Sequence, residues 1–92
     1  MRAQLIVARN LRRLRVALET SQEAFAVDAG IDRTYVSRLE RGLENPSVAV
    51  LEKIAAALNA DIRELFDPHG ATGAPRKPLR GGRKPTKRNL KG

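Results

Sequence analysis

The stretch SQEAFAVDAGIDRTYVSRLERG, residues 21–42, carries the strongest local structural signals in the chain. Ser21 and Asp32 are residue types that cap helix N-termini, because their side chains accept hydrogen bonds from otherwise unpaired backbone N–H groups. Glycine can adopt positive φ without steric cost and is typical of helix ends, where Gly30 and Gly42 stand in this stretch. The pattern therefore predicts two short helices, each beginning after a capping residue and ending at a glycine.

Apolar residues continue at helical spacing on both sides of this stretch. Residues 2–18 repeat them every three or four positions, which predicts a first helix. Ser47 follows a proline and predicts the start of a fourth helix, and Asp61 with Glu64 forms the capping-box pattern of a short fifth helix. The predicted inward-facing residues are Val7, Leu11, Leu14 and Leu18 in the first helix, Phe25, Ala26 and Ala29 in the second, and Val50 or Leu51 with Ile54, Ala55 and Leu58 in the fourth.

Five short helices with tight connections, and no alternating strand pattern, predict a compact all-α domain over residues 1–67. The 92-residue chain has room for one small domain with a modest core. It has no cysteine, which excludes disulfides and thiolate metal sites and fits a reducing compartment. No apolar run approaches the roughly 20 residues of a membrane span. We therefore expect a cytoplasmic protein without membrane attachment.

Positive charge is concentrated in the C-terminal part of the chain. The formal net charge is +8, although residues 1–67 contain ten Lys and Arg and also ten Asp and Glu. Residues 68–92 are rich in Pro, Gly and basic residues, which predicts a flexible, disordered tail. Such a tail binds phosphates without sequence preference, so seven of its residues are predicted DNA contacts. They are Arg76, Lys77, Arg80, Arg83, Lys84, Lys87 and Arg88, and Lys91 is the eighth basic residue.

Within the tail, LRGGRKPTKR (residues 79–88) loosely resembles an AT-hook, which lies in an A·T-rich minor groove. The extra glycine, and Lys84 before Pro85, depart from that pattern. Contacts to phosphates alone, or a terminus that only improves solubility, are the alternatives.

The third helix has two chemically different faces. Val36 and Leu39 lie on one side when residues are placed about 100° apart. Arginine donates paired hydrogen bonds to guanine, and Ser or Thr hydrogen-bonds to several bases, so the other side has the chemistry of a recognition helix. An ordinary solvated face is the alternative. The residues on this second side, within an arc of roughly 140°, are Arg33, Thr34, Ser37, Arg38 and Arg41.

A sharp turn through Gly30-Ile31-Asp32 joins the second and third helices as a helix-turn-helix. Residues 21–66, SQEAFAVDAGIDRTYVSRLERGLENPSVAVLEKIAAALNADIRELF, resemble the lambda-repressor-like, XRE-type helix-turn-helix domain. The similarity extends back through LRRLR to about residue 5. The elements LRRLR, SQ, AG, YVSRLERG, NPS and IAAAL coincide at fixed spacing, which makes the resemblance specific.

The resemblance implies DNA-contacting roles at defined positions. It assigns phosphate contacts to Gln22, at the start of the second helix, and to Asn45, before the fourth. It assigns a DNA backbone contact to Tyr35, and Arg41 is predicted as a further backbone contact. The positions that would contact bases hold Arg33, Thr34, Ser37 and Arg38.

The family also pairs a first-helix arginine with a third-helix glutamate, here Arg15 and Glu40. Such an ion pair fixes the angle between the helices, although its net stabilisation is small. The chain departs from the family where Glu19-Thr20 replace a common Gly-Leu, so the first helix is expected either to end differently or to run on. The neutral charge of residues 1–67 is a second departure, because it leaves the domain without a broad electrostatic attraction to DNA.

We expect a sequence-specific regulator that binds double-stranded DNA, acting mainly as a repressor. The resemblance implies a homodimer on a pseudo-palindromic operator with half-sites about 34 Å apart or a multiple of that distance. Ile62, Leu65 and Phe66 are candidates for the dimer surface, with core packing as the alternative. Two other classes stay open: an antitoxin whose tail wraps a toxin partner, and a nonspecific nucleic-acid-binding protein acting through its tail.

Catalysis has little support in the sequence. His69 is the sole histidine and lies at the predicted domain edge, where a linker residue is the simpler interpretation. Because neither a catalytic triad nor a metal-ligand spacing is present, we expect neither an enzyme nor a protein with a metal or cofactor.

Overall fold

The computed structural model describes residues 2–71, whose regular elements are all helical. The predicted all-α architecture is confirmed. None of these helices is long and apolar enough to cross a membrane. In chain order the elements are α1 (Ala3–Ala17), α2 (Gln22–Ala29), α3 (Arg33–Glu40), α4 (Val48–Leu58), a 3-10 helix (Ile62–Phe66) and α5 (Pro68–Ala71).

The predicted helix caps are present. Ser21, Asp32 and Ser47 each accept a hydrogen bond from a backbone N–H two or three residues later, at 2.9 to 3.1 Å. Asp61 and Glu64 form the predicted capping box. The first N–H groups of a helix have no partner within the helix, so each cap stabilises its helix by about 1 kcal/mol.

The turns on either side of α2 both use left-handed backbone conformations. Gly30 has φ 71°, which lets the chain reverse between α2 and α3. The turn after α1 places Glu19 at φ 57°. That conformation costs a non-glycine residue about 1 kcal/mol. Despite the missing glycine, α1 therefore ends at Ala17 and does not run on.

The core forms where α1 packs against α3, the 3-10 helix and α5, and where α2 packs against α3 and α4. The predicted inward faces of α2 and α4 are confirmed, with Leu51 buried and Val50 half-buried. Leu18 and Phe66 are 50% and 45% exposed, so neither belongs to the core. The core residues are Val7, Leu11, Phe25, Ala26, Ala29, Val36, Leu39, Leu51, Ile54, Ala55, Leu58 and Leu65.

The predicted fifth helix is a 3-10 helix, and its end is set by Pro68. A proline disfavours the α conformation in the residue before it, and Asp67 is accordingly extended at φ −75° and ψ 111°. Pro68 then occupies the first position of α5, where its missing N–H costs nothing. Helical structure therefore continues beyond Asp67, where the sequence predicts the end of the domain.

Asn10 joins this C-terminal segment to α1. Its side chain is fully buried, and its Nδ2 donates to the backbone oxygens of Leu65 and Asp67 at 3.0 and 2.9 Å. Gly70 is buried so close to the side chains of Asn10 and Arg13 that an added Cβ would overlap them. Residues up to Ala71 are thus packed on α1, and the rest of the predicted tail lies outside the described residues.

Candidate nucleic-acid interface

The inner face of α3 anchors the helix in the core. Val36 and Leu39 are 0% and 2% exposed and lie one helical turn apart. Truncating a leucine in such a site costs about 2–5 kcal/mol, because burial is lost and a cavity remains. The apolar side of α3 is therefore the predicted one, and it leaves the opposite side to face solvent.

The outer face of α3 carries the predicted base-contacting residues. Arg33, Thr34 and Arg38 are exposed, and Ser37 is half-buried between them. Arg41, directly after the helix, is also exposed. Asp32 caps the N-terminus of α3 through the N–H of Thr34, so the first turn of the helix is fixed at the end that carries Arg33. Their contacts to bases stay a prediction.

A buried hydrogen-bond network links the start of α2 and the end of α3 to α1. Arg15 donates from Nε and NH2 to the two carboxylate oxygens of Glu40, at 2.6 and 3.0 Å. Arg15 NH1 also donates to the backbone oxygen of Thr20 at 2.7 Å. The hydrogen bond to Glu40 raises the pKa of Arg15, so the guanidinium stays charged. The Arg15–Glu40 pair implied by the resemblance is therefore present.

Gln22 belongs to the same network. Its Nε2 donates to Glu40 Oε1 at 3.0 Å, and the residue is half-buried. An amide nitrogen carries two hydrogens, so the bond to Glu40 occupies one donor and leaves the second for another acceptor. Its contact to a DNA phosphate stays a prediction.

Arg38 is held by a residue that the sequence interpretation did not single out. Its Nε donates to Glu44 Oε2 at 2.6 Å, and its NH2 makes a long contact of 3.5 Å with the backbone oxygen of Leu43. Burial, and then the charge of Glu44, raise the pKa of Tyr35, so the Glu44 carboxylate also acts on this aromatic side chain. Asn45, the next residue, is exposed.

Asn10 and Glu44 are thus the two structurally important residues that sequence reasoning missed. Asn10 occurs on an otherwise apolar face of α1, at the position before Leu11. A polar residue at such a position indicates a buried hydrogen bond, and this was the signal in the sequence. Glu44 lies in an irregular connection, where helical periodicity gives no information about side-chain partners.

The remaining predicted site residues lie away from this surface or outside the described residues. His69 is exposed in α5. Residues 2–71 contain no group of three or more His, Asp or Glu side chains placed to hold a metal ion. The basic tail residues Arg76, Lys77, Arg80, Arg83, Lys84, Lys87 and Arg88 lie outside the part that the structure describes.

Two sequence relatives are similar to this chain over 63 and 48 residues. The HTH-type transcriptional regulator SlrR of Bacillus subtilis is 38% identical over 63 residues, which are 67% of this chain and 41% of SlrR. Control protein C.MunI of a Mycoplasma species is 48% identical over 48 residues, which are 52% of this chain and 65% of that protein. The chain therefore spans less than two thirds of the length of these two relatives.

A solved structure and a family model are also similar to this chain. The restriction-modification controller protein C.AhdI from Aeromonas hydrophila has a TM-score of 0.67 and 43% identity, and the match covers 68% of this chain and 96% of C.AhdI. The family model described as helix-turn-helix matches residues 11–65, which include α2, the turn and α3. With this match over more than half of its length, the chain belongs to that helix-turn-helix family.

Proposed function

We propose that this protein is a sequence-specific DNA-binding transcriptional regulator that acts as a repressor by occupying an operator. The observation that carries the proposal is the two-sided α3, with Val36 and Leu39 buried and a row of hydrogen-bond donors exposed on the other side. Family membership supports the proposal, and so does the name of SlrR, an HTH-type transcriptional regulator.

In this proposal the outer face of α3 enters the major groove. Arg33, Thr34, Ser37 and Arg38 contact base edges, where a paired arginine–guanine contact contributes about 1–3 kcal/mol of discrimination. Phosphate and sugar contacts fix the position of the helix on the duplex. Those contacts come from Gln22, Tyr35, Arg41 and Asn45.

A homodimer on a pseudo-palindromic site is the second part of the proposal. Leu65 is fully buried within the subunit, so it contributes to the core and not to a dimer surface. Phe66 is 45% exposed beside the half-buried Ile62, which makes this pair the remaining candidate. The basic tail adds phosphate or minor-groove contacts, and the protein works in the cytoplasm without catalysing a reaction.

A role as a restriction–modification controller is one specific form of this function. It is favoured by the similarity to C.AhdI, 96% of which is covered by the match with this chain.

Selection of binding sites from random double-stranded DNA tests the proposal with the full chain. We expect a two-fold symmetric sequence to be enriched, and Arg33→Ala to change the selected base at one position in each half-site. Arg9→Ala, which removes an exposed arginine from α1, is the matched control and should select the wild-type sequence. Enrichment of no sequence would refute the proposal, and an equal loss of affinity for all sequences would reassign Arg33 to a phosphate.

A further inference from the structure

The Arg38 guanidinium has one edge occupied and one edge available. Nε and NH2 form the side edge, which faces Glu44 Oε2 at 2.6 Å and the Leu43 backbone oxygen at 3.5 Å. NH1 donates to no acceptor among residues 2–71. A guanidinium can form a paired hydrogen bond to guanine through its end edge, which consists of NH1 and the second hydrogen of NH2. The contact with Glu44 therefore leaves the end edge for a base.

Glu44 is itself held in place by contacts to two other elements. Its backbone oxygen accepts a hydrogen bond from Gln4 Nε2 in α1 at 3.2 Å. The N–H of the preceding residue, Leu43, donates to the Arg38 backbone oxygen at 3.0 Å, which folds the connection back against the end of α3. The Glu44 side chain is 27% exposed, whereas that of Arg38 is 46% exposed. The carboxylate is thus the less exposed partner of the pair, on a backbone that is bonded to α1 and α3.

The carboxylate also lies among residues proposed to face DNA. It pairs with Arg38, raises the pKa of Tyr35 together with burial, and precedes the exposed Asn45. A negative charge beside DNA phosphates opposes binding to any sequence, because like charges repel. Such a charge is tolerated best when an adjacent arginine is paired with it and also bonded to a base.

We propose that Glu44 is a positioning residue that directs the end edge of Arg38 toward a base and weakens binding to all other DNA. The inference rests on the proposed function and extends it to the origin of specificity. Glu44 lowers the rotational freedom of the Arg38 side chain before binding, so less entropy is lost when the base contact forms. At non-target sites the same carboxylate stays near the phosphates without the compensating base contact.

Two opposite effects follow when the charge is removed. In Glu44→Gln, discrimination at the base contacted by Arg38 should fall about three- to tenfold, which is part of the value of an arginine–base pair. Affinity for random-sequence DNA should rise by about two- to fivefold, since one like charge is gone. A residue that only stabilises the fold would lower both quantities together.

The experiment measures binding of the full chain to its selected duplex, to the duplex with the Arg38 base pair changed, and to random DNA. Glu44→Asp keeps the charge but shortens the side chain, so it should lower discrimination and leave random-DNA affinity unchanged. Glu52→Gln removes an exposed carboxylate from α4 and is the matched control for charge. In an Arg38→Ala background, Glu44→Gln should have no further effect on discrimination.

The possible outcomes separate this inference from the proposed function. If the wild-type chain selects no sequence, the proposed function fails. If it selects a sequence and Glu44→Gln keeps the wild-type discrimination, the role of Glu44 is refuted and the function stands. If Glu44→Gln discriminates better than wild type, Glu44 competes with DNA for Arg38, which also overturns the proposal. A thermal melt of each variant establishes that the compared proteins are folded.

Discussion

The helix α3 takes part in two arginine–glutamate pairs with the same 2.6 Å separation and very different surroundings. The side chains of Arg15 and Glu40 are 11% and 4% exposed, whereas those of Arg38 and Glu44 are 46% and 27% exposed. Removing one partner of a buried pair strands a charge in a poorly solvated site, but an exposed charge is stabilised by water. The inner pair thus holds the helix in position, and the outer pair can exchange its partner.

The largest expected effect is on the inner pair. Glu40→Ala should lower the free energy of unfolding by about 3 kcal/mol, because Arg15 and Gln22 both lose their acceptor. Urea denaturation measures this loss. Replacing Arg15 and Glu40 together with apolar residues should cost much less than the single change, and a loss below about 1 kcal/mol for Glu40→Ala would show that burial does not distinguish the two pairs.

The buried, uncharged side chain of Asn10 tests whether burial, and not charge, determines how much stability is lost when a hydrogen-bonding partner is removed. Asn10→Leu should lower the free energy of unfolding by about 2 kcal/mol, because the buried backbone oxygen of Leu65 loses the Asn10 donor, and the part-buried oxygen of Asp67 keeps only the N–H of Ala71. Asn10→Asp, which keeps the shape and removes the NH2 group, should cost at least as much. Stability equal to wild type in both variants would contradict this expectation in the same denaturation experiment.

The exposed carboxylate of Asp32 caps a backbone N–H, and its removal should cost less stability than removal of either buried group. Asp32→Ala should cost about 1 kcal/mol, because the Thr34 N–H at the start of α3 loses its cap. Asp32→Ser keeps a capping oxygen and should retain most of the stability. Thermal unfolding followed by circular dichroism measures both, and equal melting of the Ala and Ser variants would argue against the cap.

The outer pair should contribute little to stability. Glu44→Gln should change the free energy of unfolding by no more than about 0.5 kcal/mol, as expected for a pair that is partly exposed to solvent. A loss as large as that of Glu40→Ala would contradict the contrast between the inner and the outer pair. The measurement is urea denaturation under the conditions used for the inner pair.

The smallest effect concerns a third pair, Asp61 with Arg63, which is the most exposed of the three. The side-chain hydrogen bond from Arg63, and then the bond from its backbone N–H, lower the pKa of Asp61. A carboxyl group with a lowered folded-state pKa stabilises the protein above its unfolded pKa, and this contribution is lost as pH falls through the folded value. In Asp61→Asn, the free energy of unfolding should therefore fall slightly less steeply as the pH is lowered. A steeper fall would contradict the lowered pKa of Asp61.

Features that depend on neighbouring residues were predictable from the sequence. A cap such as Ser21 or Asp32 needs only the next few N–H groups, and Gly30 needs only its own backbone freedom. The burial of Val36 and Leu39 follows from helical periodicity alone. The sequence also predicts which residues lie on the outer face of α3, because the same periodicity places them.

Features that depend on contacts distant in sequence were not predictable in this way. Asn10 finds its partners more than 50 residues later, in Leu65 and Asp67, so no local pattern predicts its role. The pairing of Glu44 with Arg38 depends on the path of an irregular connection. The 3-10 geometry of Ile62–Phe66 depends on the short interval between the Asp61 cap and Pro68, which an apolar pattern does not resolve.

The most direct test of DNA binding by α3 is to map the contacts on the full chain by amide chemical-shift changes on adding the selected duplex. We predict the largest changes along α3 from Arg33 to Arg38, with further changes at Gln22 and Asn45. Smaller changes are expected across the buried faces of α1 and α4. Changes confined to residues after Ala71, with α3 unaffected, would contradict the claim that the outer face of α3 binds DNA.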